Sequence, residues 1–409
     1  MFRHFLKPVQ KFRKSYLPGI VTAGADEDPS SISTFSIIGA TTGLSALWLI
    51  FISTPLLIVV HRLSAMIGDV TKKGLMTLIK ENFGKKTAFF FLAALVLANL
   101  LLLFANIVGM AAGFELLTGS NYIYFIIPVI IIIWFLMVFE KYKQISKYFF
   151  WFSAILACYV ISGFLSNPNW GEVFGSVVFP DIKFNLAYIS AAIALLGAVF
   201  TPYTFFWQTR EEIEEHHNVK NLNQSNRSVI FGFIYSGIIT FFIILTSAST
   251  IASGEINNLT MEQISNALAP LAGGWASVLF AVGLIGSGIL SIPILISTSA
   301  YAVAEYFNWP DGLNKKPSRA KGFYSVITLG FIICLLALAL DVMPVKLIFY
   351  SQILVGLLAP ISIYFITRIA SSKKIMGRYR CHYLSVVLGW LTILFLVAGD
   401  LLFIGQIIF

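Results

Sequence analysis

Long apolar runs, separated by short polar segments, dominate the pattern along the chain. A helix needs about 20 apolar residues to cross the hydrocarbon core of a bilayer, and the runs have about that length. We predict eleven membrane spans, at approximately 17–41, 44–66, 87–116, 121–139, 146–166, 187–209, 226–252, 269–304, 322–340, 344–368 and 383–407. The first and sixth runs are interrupted by polar residues and a proline, at Asp28-Pro29 and Thr201-Pro202. Because proline breaks the hydrogen bonding of a helix, the pattern predicts an all-α polytopic membrane protein with two broken helices.

Composition supports this class of protein. Hydrophobic residues make up 58% of the 409 residues and charged residues only 11%, whereas a soluble protein has about 25% charged residues. The three cysteines are scattered and form neither a zinc pattern nor a disulfide framework. The net charge of +9 could suggest a nucleic-acid partner. We attribute it to the excess of basic residues in the cytoplasmic loops of membrane proteins, and we expect no nucleic acid to bind.

The basic residues also predict an orientation. With residues 1–16 as a basic cytoplasmic segment and alternating spans, all of the 28 Lys and Arg residues except Lys183 and Lys346 lie on the cytoplasmic side. This agrees with the positive-inside rule and puts the C-terminus outside. We expect a multi-pass, monomeric protein of the plasma (inner) membrane.

The two interrupted spans predict an internal symmetry. Spans one to five occupy residues 17–166, spans six to ten occupy 167–370, and residues 371–409 hold an eleventh helix. Each broken helix opens a set of five, and five is odd, so the second set enters the membrane from the opposite side. Broken helices at matching positions of two inverted repeats indicate a transport site near the bilayer midplane.

The residues at the breaks offer oxygen ligands for a cation. Asp28 supplies a carboxylate, Ser30 and Ser31 supply hydroxyls, and Ala198 and Thr201 supply a carbonyl and a hydroxyl from the other break. Hard oxygen sets suit Mg²⁺, Ca²⁺ or Mn²⁺. A charge in mid-membrane costs about 2.5–3.5 kcal/mol on insertion scales, which favours a functional role for Asp28. The alternative is a buried acid that pairs with a lysine or a helix N-terminus.

Other polar residues near the breaks have two interpretations each. Asp26 and Glu27 either line the approach to the site and attract cations, or lie on a hydrated rim. Gln352, in the tenth span, either coordinates the ion or makes an interhelical hydrogen bond. The segment Glu211–His217 is either a metal-sensing cluster or a solvated helix extension that keeps cations near the inner mouth.

At these residues the chain resembles the Nramp (natural resistance-associated macrophage protein) family of divalent metal transporters. The family's Asp-Pro-Gly-Asn break is similar to Asp28–Ser31 here, and its Ala-x-x-Met-Pro-His motif is similar to Ala198–Tyr203. Gln352 stands where the family's tenth helix often contributes a Gln. The resemblance implies a LeuT-like fold with two inverted five-helix repeats, alternating access, and no enzymatic activity.

The departures from the family pattern change which ion the site is expected to prefer. Ser31 replaces the ligand Asn, Thr201 replaces the ligand Met, and Tyr203 replaces a histidine. Without the soft sulfur, the site loses its preference for Mn²⁺ and Fe²⁺ over Mg²⁺. Asn106 and Leu103 stand at the places of the family's proton-route acids, and the family's helix-nine arginines have no counterpart between Phe323 and Leu340.

The chain therefore looks most like the divergent Nramp-related magnesium transporters. We predict a secondary transporter of Mg²⁺ (and Mn²⁺) without proton coupling, in which Asp28, Ser31, Ala198, Thr201 and Gln352 bind a partly hydrated ion. In this hypothesis Asp26, Glu27, Ser30 and Tyr203 support the site. The alternative is a proton-coupled Mn²⁺/Fe²⁺ importer of the ordinary Nramp type. An organic-solute symporter and an intramembrane aspartyl hydrolase fit the acid triplet less well.

Overall fold

A computed structural model describes residues 19–408 apart from 21, 140–154, 215–221, 252–255, 257–258 and 339–342. The longer helices are α1 (Pro29–Thr42), α2 (Leu47–Thr71), α3 (Leu75–Phe83), α4 (Lys85–Thr118), α5 (Ile123–Phe139), α6 (Cys158–Leu165), α7 (Trp170–Val178), α8 (Leu186–Val199), α9 (Pro202–Glu214), α10 (Leu222–Thr250), α11 (Met261–Ser265), α12 (Ala276–Phe307), α13 (Lys321–Ala337), α14 (Pro344–Ser371) and α15 (Tyr383–Ile408). Single turns lie at Ala269–Ala272 and Lys373–Met376. The described part of the chain is almost entirely helical, as predicted.

Both predicted breaks are present. Residues 22–26 are helical, Glu27 and Asp28 are not, and α1 begins at Pro29. In the same way α8 ends at Val199, and α9 begins at Pro202 after two non-helical residues. Each proline starts the second half of its span, a position where its missing N–H group has no intrahelical acceptor to lose.

Most span boundaries agree with the prediction to within a few residues, and three differ more. The sixth span continues to Glu214, about a turn beyond its predicted end. The second span continues to Thr71, about a turn beyond the predicted end. The eighth begins at Ala276, since Gly273, with φ of 51°, ends a preceding turn. The predicted loops 67–86 and 167–186 contain the helices α3 and α7. Residues 146–154 of the predicted span 146–166 lie outside the described residues, and the rest of that span contains α6.

The described helices do not by themselves confirm eleven spans. Seven helical stretches are long and apolar enough to cross a membrane, and α5 and α13 are apolar but shorter. The prediction of eleven spans therefore remains a prediction.

The broken helices lie in the centre of the molecule. Helix α1 packs against α10 and α8, α8 packs against α14, and α4 packs against α12. The close approach of α8 to α14 requires a glycine, because a Cβ at Gly197 would lie 1.9 Å from the backbone oxygen of Gln352. This contact brings the second break next to the polar residues of α14.

A charged cluster joins the far end of α9 to neighbouring segments. The Arg210 guanidinium contacts Asp311 at 2.8 Å and Glu305 at 3.3 Å, and it lies 4.2 Å from the ring centroid of Tyr301. Glu305 Oε2 also accepts hydrogen bonds from the first amides of α3, at Met76 and Thr77. One arginine thus links α9, the end of α12, the loop after it and α3.

Candidate metal site

Asp28 caps helix α1. Its backbone is extended, with φ of −77° and ψ of 167°, and its side chain accepts a hydrogen bond from the Ser31 amide at 2.7 Å. The Ser30 hydroxyl donates to the same oxygen, Oδ1, at 2.8 Å. Aspartate is a favoured N-cap residue because its carboxylate satisfies amides that have no intrahelical acceptor. The local sequence therefore fixes the position of the carboxylate at the break.

Neutral donors from two other helices bind the second oxygen of Asp28. The Asn106 amide nitrogen donates to Oδ2 at 2.9 Å, while Asn106 Oδ1 accepts from the Ser30 amide at 2.9 Å. The Tyr203 hydroxyl lies 3.3 Å from Oδ2 and 2.9 Å from the Ala25 carbonyl oxygen, so its single proton is shared. Asp28 is fully buried, and hydrogen bonds rather than a cationic side chain stabilise its charge.

Gln352 reaches the same place from α14. Its Nε2 donates to the hydroxyls of Ser30 at 2.9 Å and Ser31 at 3.3 Å. Its Oε1 is buried and has no hydrogen-bond partner in the described part of the chain. The predicted interhelical hydrogen bond is therefore present, and the amide oxygen remains available as a ligand. Asp28, Ser31 and Gln352 form one group, as the sequence suggested.

Thr201 faces a different carboxylate. Its hydroxyl donates to Asp26 Oδ1 at 2.5 Å and lies 3.1 Å from the Thr204 hydroxyl. Ala198 lines a cavity together with Asp26 and Glu27. The structure thus places the two α8–α9 residues of the predicted site with Asp26, beside rather than within the Asp28 group.

Asp26 and Glu27 are buried, with 3% and 2% of their surface exposed. Glu27 points toward α10, where the Ser236 and Thr240 hydroxyls donate to its Oε1 at 2.6 and 2.8 Å. The interpretation of these acids as residues of a hydrated rim is therefore wrong for this conformation. Each has hydroxyl donors in the interior.

The interpretation of Glu211–His217 as a solvated extension is also wrong for Glu211 and Glu212, whereas Glu214 is partly exposed. Glu211 and Glu212 are 4% and 3% exposed. The Thr22 hydroxyl donates to Glu211 at 2.6 Å, and Ser225 donates to Glu212 at 2.8 Å. Residues 215–217 lie outside the described residues.

Sequence reasoning missed several residues beside the breaks. His61 on α2 stacks on Phe233 at a centroid distance of 3.8 Å, and its Nε2 lies 3.5 Å from the Thr204 hydroxyl. The resemblance to the family identifies Asn106 only as the replacement of an acid, not as a donor to Asp28. A polar residue in an apolar span was the available signal for both. The face of each helix that meets the break could not be derived from an almost uniformly apolar pattern.

The arrangement suits a hard cation. Among the described residues, no three His, Cys, Asp or Glu side chains are grouped so that they could hold a metal ion. The Asp28 group offers one carboxylate, hydroxyls and an amide oxygen, which are ligands for an ion that keeps some of its water. Asp28, Ser31 and Gln352 are all completely buried. An ion can therefore reach them only if the surrounding helices move.

Solved structures share this fold. A crystal structure of a mutant of the Eremococcus coleocola manganese transporter superposes with a TM-score of 0.77 at 19% identity, over 96% of this chain and 86% of that one. The structure of MhsT in complex with L-phenylalanine has a TM-score of 0.64 at 13% identity, over 96% and 98% of the two chains. The architecture is that of the LeuT-like membrane transporters.

Comparison with known sequences identifies the family within this class of transporters. The divalent metal cation transporter MntH of Aeromonas hydrophila is 21% identical over 396 residues, which cover 94% of both chains. The MntH of Verminephrobacter eiseniae is 24% identical over 89% of this chain and 82% of that protein. The family model described as natural resistance-associated macrophage protein-like matches residues 19–406. The chain belongs to the Nramp family.

Proposed function

We propose that this protein carries divalent metal cations across a membrane by alternating access, with the ion bound beside the α1 break. The observation that carries the proposal is the buried Asp28 carboxylate next to the unpartnered amide oxygen of Gln352. Ser31 completes this group from the first turn of α1. Ala198 and Thr201 join the ion's shell when α8 and α9 move toward Asp28.

Mn²⁺ is the first ion to test, because relatives across the whole chain are named as MntH transporters and a structural neighbour as a manganese transporter. We also propose that Mg²⁺ is carried. Thr201 stands at the place of the family's methionine, and the Asp28 group contains only oxygen ligands, which do not favour Mn²⁺ as a sulfur ligand does. The relatives' names favour Mn²⁺, and the ligand chemistry supports weak discrimination against Mg²⁺.

Proton coupling separates two forms of this function. Transport without protons is supported by Asn106 and Leu103, which stand at the places of the family's proton-route acids. The membrane potential then supplies the driving force, since an inside-negative potential contributes roughly 2.3 kcal/mol per charge per 100 mV to cation entry. The proton-coupled Mn²⁺/Fe²⁺ importer is the second candidate. Its support is the set of buried titratable residues beside the break, Asp26, Glu27 and His61. We propose a plasma-membrane location and a monomeric state for the protein, whether or not transport is coupled to protons.

The test is uptake of Mn²⁺ and Mg²⁺ into proteoliposomes, with the internal pH followed at the same time. We expect saturable uptake of both ions, and competition between them. Acidification that follows Mn²⁺ entry at a fixed ratio would replace the uncoupled form by the coupled one. Strong exclusion of Mg²⁺ would contradict the proposed weak discrimination.

Asp28→Asn tests the ion ligand. The amide keeps the size of the side chain and removes its charge, so we expect Mn²⁺ uptake to fall at least tenfold, about 1.4 kcal/mol or more in binding. Glu262→Gln, at an exposed position of α11, is the matched control and should transport normally. Normal uptake by Asp28→Asn would exclude Asp28 as the ligand.

A further inference from the structure

A cavity lies beside the break, and none of the residues that line it belongs to the Asp28 group. It lies between the break, α2, the end of α8 and α10, and its polar lining consists of Asp26, Glu27, Thr54, Ser236 and Thr240. We call this the Glu27 pocket. We propose that the Glu27 pocket is a second cation site that takes a small hard cation of the Na⁺ or Ca²⁺ type. It has its own carboxylates and shares only the lining residue Ala198 with the proposed transport site.

One oxygen of Glu27 points to a ligand. Oε1 accepts from Ser236 and Thr240, whereas Oε2 is buried and has no hydrogen-bond partner among the described residues. Leaving a buried carboxylate oxygen unsatisfied costs on the order of 1–3 kcal/mol, and more for a charged group. A cation beside Oε2 removes this cost, and Glu27 is one of the residues that line the cavity.

The pocket is separate from the Asp28 group in its contacts. Glu27 is held by hydroxyls of α10, while Asp28 is held by Asn106 of α4, by Tyr203 and by the start of α1. Gln352 contacts Ser30 and Ser31 and does not line the pocket. Successive residues of the non-helical break therefore direct two carboxylates toward different helices, and each has its own set of oxygen atoms.

The ligand chemistry selects the kind of ion. The polar lining contains carboxylates and hydroxyls and no nitrogen or sulfur side chain, so it favours hard cations. The two carboxylates, Asp26 and Glu27, have no lysine or arginine in that lining to balance them. The free space holds about one water molecule. That disfavours Mg²⁺, which keeps several waters, and leaves cations that lose their water more readily.

Binding to the purified full-length protein tests the proposal without depending on transport. The probes are ²²Na⁺ and ⁴⁵Ca²⁺, measured by scintillation proximity. We expect saturable binding of at least one probe, weakened roughly tenfold or more by Glu27→Gln, as expected when a charged ligand is lost. Glu262→Gln should retain binding of both probes. Asp28→Asn should retain the part of the binding that depends on Glu27, because the Asp28 carboxylate belongs to the other group.

A smaller change covers the case in which Glu27→Gln fails to fold. Thr240→Val removes a hydroxyl that orients Glu27 and should weaken binding several-fold. Thr250→Val is its matched control on the same helix, since that hydroxyl donates only to the Thr246 carbonyl oxygen at 2.6 Å. Thermal unfolding of each variant in detergent shows which of them is folded.

Three results would overturn the second site. The first is the absence of saturable binding of either probe to the unaltered protein. The second is binding that survives both Glu27→Gln and Thr240→Val. The third is a loss of binding in Asp28→Asn that equals the loss in Glu27→Gln. Probe binding that depends on Glu27, in a protein that takes up neither Mn²⁺ nor Mg²⁺, would instead refute the proposed function and leave the second site standing.

Discussion

Asn106 fixes the orientation of the Asp28 carboxylate, the proposed cation ligand. Its amide group bridges the carboxylate and the Ser30 amide, so it holds the first turn of α1 and the ligand in one geometry. The sequence identified Asp28 itself, because an acid beside a proline in an apolar span is conspicuous. It did not identify Asn106 as a partner, because pairing depends on how α4 is rotated about its axis.

Replacing Asn106 should therefore weaken metal binding without removing a ligand. We expect Asn106→Leu to reduce Mn²⁺ affinity about tenfold, since a buried charge loses a hydrogen bond worth about 1.5–3 kcal/mol. Asn99→Leu is the control. Asn99 lies two turns earlier on α4 and donates to Ser299, away from the break. Isothermal titration with Mn²⁺ measures both variants, and equal losses would contradict the positioning role.

At the scale of elements, the prolines made the two breaks predictable and the apolar runs located most helices. The short helices α3 and α7 could not be predicted in this way, because their lengths of nine residues each are too small for a span. The split of the predicted ligands into two groups was equally inaccessible. Thr201 and Asp28 are both at breaks, yet the conformation of the non-helical residues turns Thr201 toward Asp26.

The contact between α8 and α14 gives a stability prediction. Gly197→Ala places a methyl group against backbone atoms of Gln352 and Gly356, which cannot move aside without shifting a helix. We expect a loss of about 1–3 kcal/mol of stability, seen as a lower unfolding temperature in detergent by tryptophan fluorescence.

Gly283→Ala on α12 is the control for this prediction, because no atom lies within 4 Å of the added Cβ. It should leave stability unchanged or raise it, since alanine favours a helix over glycine by about 1 kcal/mol. An unfolding temperature that falls equally in both variants would contradict the role of the close contact.

At the scale of the whole molecule, the fold agrees with the prediction of a LeuT-like transporter, and the family match extends over residues 19–406. Orientation rests on the distribution of Lys and Arg alone. The charged cluster around Arg210 contains one of the same basic residues, so the orientation stays a prediction.

Reporter fusions test the orientation and the number of spans together. With eleven spans and a cytoplasmic N-terminus, alkaline phosphatase fused after Phe409 should be active, and green fluorescent protein fused there should be dark. The same two reporters fused before Met1 should give the opposite result. A fluorescent C-terminal fusion would indicate an even number of spans.

The hydrogen bonds around Asp28 have a consequence for turnover. A carboxylate offers about four lone-pair positions, and Ser30, Ser31, Asn106 and Tyr203 occupy them here. In the proposed function, an arriving ion must replace one of these donors. The Tyr203 hydroxyl makes the weakest contact with Asp28, because it shares its proton with the Ala25 carbonyl oxygen. When the ion leaves, the same donors return and shield the charge. In the proposed transport cycle, the unloaded protein then reorients across the bilayer without exposing a bare carboxylate to lipid.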